Sequence, residues 1–199
     1  ESSTPLTIKI IKHTAHPENV SMTLSGNTSG AAGYVNGTDE NKAKAEITFT
    51  KATVGVTKLA FSGAGLESIA DAEIAGLTKV TTTIADLVST NEYFVETGTN
   101  SGTIHLFTPV TTETITVSGI TVKNAADGDK EIKVQLTDAI GNTDATDSTG
   151  TGTIKRDTQP PSITSIKQNG TTSYLSPSTI SSGGTAYTNA DSISLTIDA

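Results

Sequence analysis

Three observations on the 199-residue chain predict an all-β sandwich. Thr supplies 38 residues, and a β-branched polar side chain suits the solvent face of a half-buried strand. Short runs alternate apolar and polar residues with period two and are separated by turn residues. Apolar residues make up 34% of the chain, aromatic residues only 4%, and there is no Trp. The core is therefore thin, built from Val, Ile, Leu and Ala, and buries little per residue.

The elements follow in order. Residues 6–10 alternate (Leu6, Ile8 and Ile10 on one face), as do residues 20–24. Residues 25–41 are rich in Gly, Asn and Thr and form a long loop. Alternation resumes at 45–49, 54–61, 103–107 and 115–122, the last broken at Gly119. Between them, Leu66, Ile69, Ala70, Glu73, Ile74 and Leu77, then Ile84, Leu87 and Val88, follow a helical period. Thr81-Thr82-Thr83 interrupts it, so one or two short helical turns are expected there, inside an insertion spanning about residues 62–100.

The richest stretch is residues 130–163. Ile132, Val134 and Leu136 alternate with Lys133, Gln135 and Thr137 and run into an Asp-x-x-Gly-Asn turn at Asp138 to Asn142. A second strand at 151–156 stops at Asp157-Thr158-Gln159-Pro160-Pro161. Paired prolines force extended backbone, so residues 158–161 read as a semi-rigid hinge. Beyond it lie an alternating run at 163–166, a Gly/Ser-rich loop through Gly183-Gly184, and a strand at 192–197 with Ile193, Leu195 and Ile197 on one face.

This order of strand, acidic turn, strand and Pro-Pro hinge resembles the junction between two bacterial or archaeal immunoglobulin-like repeats of large cell-surface proteins, of surface-layer or adhesin type. The resemblance implies an immunoglobulin-like β-sandwich with a small helical insertion over residues 1–157. A hinge at 158–161 then leads into the start of a second immunoglobulin-like repeat over 162–199, of which the first two strands are present. It places the chain outside the cell, at the cell surface. A chain that opens on Glu1 fits a processed or excised segment.

Composition excludes several classes of function. There is no Cys, hence no disulfide framework and no thiolate metal site. A net charge of -8 leaves no basic stripe to offset nucleic-acid phosphates. No run of 18 apolar residues could span a membrane. No nucleophile elbow or phosphate-binding glycine loop is present, and the chain does not read as an enzyme.

Four sites remain as expectations. Asp138, Asn142, Asp144, Asp147 and Asp157 offer hard oxygen ligands, and the resemblance implies a calcium ion stiffening a junction between repeats; the same residue types also form turns without any ion. Asp127-Gly128-Asp129 is a second such cluster, or a hairpin turn. Among the Asn-x-Ser/Thr acceptors, Asn27 and Asn36 fall in the predicted loop and suit glycosylation. His13 and His16 neighbour one another without an evident third metal ligand.

The expected function is a structural segment of an extracellular surface protein, a surface-layer subunit or adhesin stalk, acting by assembly with like subunits or with adjoining repeats of the same chain. A second reading is a filament subunit that donates a terminal strand, Leu6 to Ile10 or Ile193 to Ile197, to the next sandwich. A third is an adhesin tip whose loops contact a host or cell-surface glycan.

Overall fold

The structure, a computed structural model, describes residues 11–26, 33–36, 42–50 and 54–159 in full, and the backbone of 165–168, 172–175 and 195–198. The chain divides into two compact units, Glu1–Thr158 and Gln159–Ala199.

Among its described residues the first unit is nearly all β, in two sheets. Its strands are β1 (Glu18–Gly26), β2 (Tyr34–Val35), β3 (Lys42–Thr50), β4 (Val56–Ser62), β5 (Leu66–Ser68), β6 (Glu73–Ile74), β7 (Thr78–Val80), β8 (Glu92–Gly98), β9 (Ser101–Val110), β10 (Thr114–Val122), β11 (Gly128–Asp138) and β12 (Thr149–Arg156). One sheet runs β1-β3-β10-β5, with β6 also on β10. The other runs β2-β12-β11-β4-β9-β8-β7.

Alternation places the core. Ala43, Ala45, Ile47 and Phe49 of β3 point inward to meet Ile132, Val134 and Leu136 of β11, all of them buried in one apolar cluster. β1 lies close against β12, which is possible because the inward residues of Thr-Gly-Thr-Gly-Thr are Gly150 and Gly152. A Cβ on Gly152 would sit 2.8 Å from Leu24 Cγ and 3.0 Å from the Met22 carbonyl oxygen. The side chains of Val20 and Leu24 and the β1 backbone fill the seam, leaving no room for a side chain at Gly150 or Gly152 of β12.

The break expected at Gly119 is a bulge in β10, where register shifts between Val117 and Ile120. Gly119 has φ +75 and its missing Cβ would lie 2.1 Å from the Asp71 carbonyl oxygen, so only Gly fits there.

The helical period is corrected over Leu66 to Leu77, while the stripe beginning at Ile84 does hold one short helical turn. Residues 65–91 hold the short strands β5, β6 and β7 and, among the described residues, a single 3₁₀ turn at Ile84–Asp86. Leu66, Ile69 and Ala72 are buried at three-residue intervals because tight turns separate the strands, with Ala72 N–H donating to Ile69 O at 2.9 Å and Leu77 N–H to Ile74 O at 3.1 Å. Successive turns thus imitate a helical stripe. The threonine run ends in the 3₁₀ turn, where the Thr83 N–H and hydroxyl both donate to Asp86 Oδ2, at 2.9 and 2.7 Å. Hydrogen bonds from the Thr82 and Thr83 hydroxyls hold the Asp86 carboxyl below its ordinary value.

In the second unit the described residues form an antiparallel sheet in the order β14-β13-β15, with β13 (Ser165–Gln168), β14 (Thr172–Leu175) and β15 (Leu195–Asp198). β14 falls where sequence reading expects only a polar loop, so among the described residues this unit holds three strands rather than two. Leu195 and Ile197 lie in β15, paired with Gln168 and Ile166 of the same chain. Leu6, Ile8, Ile10, Ile193, Asn27 and the Pro160-Pro161 pair lie outside the described residues.

Candidate functional site

β11 and β12 form an antiparallel pair, so the chemistry between and beyond them is sorted to opposite ends of the sandwich. Gln135 faces Thr149 at one end and Gly128 faces Arg156 at the other. Seven residue steps separate these pairs, about 23 Å at about 3.3 Å per residue. The acidic turn 139–148 joins the strands at the first end. Asp157 follows Arg156 at the second. The predicted five-residue calcium set is therefore divided: Asp138, Asn142, Asp144 and Asp147 lie together, and Asp157 is too far away to share an ion with them.

At the first end Asp138 and Asp144 accept turn-forming hydrogen bonds. The Asp138 carboxylate is buried; its Oδ1 accepts from Ile140 N–H at 2.9 Å and Asn142 N–H at 2.7 Å, and its Oδ2 from Asn142 Nδ2 at 3.0 Å. Asp144 Oδ1 accepts from Thr146 N–H at 2.7 Å and Asp147 N–H at 2.9 Å. Those two N–H groups hold its carboxyl below the ordinary value, with a smaller contribution from His16 against the opposing effect of burial.

The same turn grips the incoming chain. Asn142 Nδ2 reaches the Ala15 carbonyl at 3.1 Å and that of His13 at 3.4 Å, and the buried Ser148 hydroxyl donates to Pro17 O at 2.6 Å. His13 Nε2 stands 3.9 Å from Asp138 Oδ2, and His16 Nδ1 lies 3.4 Å from Ser148 Oγ. His105 belongs to β9, where it pairs with Glu96 at 3.1 Å. Among the described residues no group of three or more acidic or histidine side chains is arranged to hold a metal ion.

At the second end a different knot closes. Arg156, 8% exposed, donates from one terminal nitrogen to Asp127 Oδ1 at 2.8 Å and from the other to Asn124 Oδ1 at 2.7 Å. The Thr158 hydroxyl bonds the Asp127 carboxylate at 2.8 and 2.9 Å to its two oxygens. Asp157 N–H donates to Val35 O at 3.1 Å, beside the parallel pairing of β2 with β12. The Asp127-Gly128-Asp129 cluster is thus no hairpin turn: it carries the chain from β10 in one sheet to β11 in the other, and Asp127 is occupied by Arg156 and Thr158. Sequence reading marked Asp127 and Asp157 but not Asn124, Arg156, Thr158 or Ser148, which these bonds tie to residues 29 to 132 positions away.

A shallow depression of about 470 Å³ lies beside the β10 bulge, lined by Lys42, Asp71, Glu73, Lys79, Tyr93, Ser118 and Gly119. Its charges balance. Lys42 pairs with Asp71 at 3.2 Å and the Lys79 ammonium donates to the Ala70 carbonyl. The Tyr93 hydroxyl donates to Ala72 O at 3.1 Å, and burial, aided by the Glu73 charge, pushes its pKa up against a backbone hydrogen bond at Ile74. Asn36 is exposed just after β2.

No known protein family and no curated protein matches the chain. Among solved structures, the chain is similar to a DUF4466 family protein from Parabacteroides merdae, with a TM-score of 0.41 and 8% identity over 76% of this chain and 46% of that one. The chain thus spans less than half the length of that protein.

Proposed function

We propose that the chain is a load-carrying structural segment of an extracellular surface protein, an adhesin stalk of linked immunoglobulin-like units. One observation carries this reading: the first unit takes the chain in at one end of its sandwich and releases it at the other. β1 begins beside the acidic turn, where Val20 N–H donates to Asp147 O at 3.2 Å. Its other end meets β2, since a Cβ on Gly26 would overlap the Tyr34 carbonyl oxygen at 2.1 Å. β12 runs the same way, from the turn to Arg156. Tension applied through the chain therefore runs along the strands and loads their hydrogen bonds together, in shear. A pull across the strands breaks them one after another. The polar knot at each end, fastening residues 13–17 and 156–158, suits a unit held from both sides.

The chain lacks Cys, so two introduced thiols define a pulling axis. With handles at Thr14→Cys and Gln159→Cys, unfolding at a fixed force should be at least about tenfold slower than with handles at Thr14→Cys and Ile140→Cys, which peel one end, because a shared load must break several bonds of about 1 kcal/mol at once. Equal rates along the two axes would overturn the load-carrying reading.

A further inference from the structure

A strand in shear is strong only while the pull stays parallel to it. The last ladder pair of β12 is Arg156 with Gly128, and a sideways pull on the following residue would open that pair first and then run down the strand. Three residues stand in the way. Arg156 is anchored by Asp127 and Asn124, at 2.8 and 2.7 Å. Thr158, already past the strand, is bound to the same Asp127 carboxylate at 2.8 and 2.9 Å. Asp157 N–H is held on the opposite flank by Val35 O at 3.1 Å.

Building on the load-carrying reading, we propose that residues 156–158 form an exit latch that turns a pull from any direction into shear on β12. Asp127 is its hub, because one carboxylate ties a residue inside the strand and a residue outside it to the same turn. Arg156 suits the inner position. Its guanidinium is held by both terminal nitrogens, while Nε is buried with no hydrogen-bond partner among the described residues, so there the fork alone fixes the group. Thr158 sets where the free chain begins: release of its hydroxyl moves the point of loading back to the ladder itself. The latch is thus a fastening of the first two residues beyond β12, and the expected hinge starts one residue later than the composition alone suggests.

Thr158→Val tests it without risk to the fold, because Thr158 is exposed and lies outside the sheet. With handles at Thr14→Cys and Gln159→Cys, the variant should unfold about fivefold faster at a fixed force, the size expected for one solvent-facing bond to a carboxylate. Thr158→Ser should restore the parent rate. With the second handle moved to Thr153→Cys, upstream of the latch, the Thr158→Val and parent proteins should unfold at the same rate. Equal acceleration from both handle positions would reduce Thr158 to an ordinary stabilising contact and overturn the latch, as would no acceleration from either. Failure of the load-carrying reading is separate: it appears in the parent protein as equal rates along and across the strands.

Discussion

Asp138 and Asp144 stand six positions apart in one turn and accept backbone N–H bonds in the same way, yet only Asp138 is buried. For Asp144 the consequence is a pH dependence with a definite sign. Its folded pKa lies below the ordinary 3.8, through the N–H groups of Asp147 and Thr146. The stabilisation is therefore complete above the unfolded value and is lost as pH falls through the lower folded one. Denaturant midpoints measured from about pH 6 down to about pH 2.5 should fall more steeply for the parent than for Asp144→Asn, which cannot ionise. Parallel profiles would show that the carboxylate charge is not what holds the turn. The residue types here were legible in the sequence as turn-formers and as metal ligands alike. The turn-forming use rests on the set of N–H groups aimed at each oxygen, which depends on backbone angles that composition does not specify.

The elements divide by how local their causes are. β3, β10 and β11 could be read because alternation over nine to eleven residues faces a single core. β8, seven residues long, was missed because only Tyr93 and Val95 of it are buried, while β5 to β7 imitated a helix because strands of two or three residues leave the turns to set the spacing of buried positions. The seam between β1 and β12 belongs to this scale too. Thr-Gly-Thr-Gly-Thr alternates as a strand should, but the sequence does not say that its glycines lie under a second strand. Gly152→Ala adds a Cβ 2.8 Å from Leu24 Cγ and 3.0 Å from the Met22 carbonyl. It should cost about 1–3 kcal/mol and lower Tm by about 2–10 °C. Thr151→Ala, on the exposed face of the same strand, should stay within about 0.5 kcal/mol. A Gly152→Ala protein that melts with the parent would mean that the two strands can move apart freely at this seam.

For the whole molecule, the open choice is between units strung along one chain and subunits that polymerise by lending strands. β15 bears on it directly. Its four residues pair with β13 from Ser165 opposite Asp198 to Gln168 opposite Leu195, completing a three-stranded sheet within the second unit. Donation to another copy would first have to give up all four pairs, and a two-stranded remainder is marginal in water. Linked units of one chain keep those pairs and need no exchange. Negative-stain microscopy of the purified chain separates the alternatives. Under the stalk reading, isolated particles persist with calcium and with chelator, and removal of residues 191–199 leaves the particle field unchanged. Filaments that vanish on that deletion would establish strand donation in its place, and sheets that dissolve in chelator would establish an ion-dependent surface lattice. Either result would move the load from the chain to the contacts between molecules, and the fastened ends of the sandwich would then need another explanation.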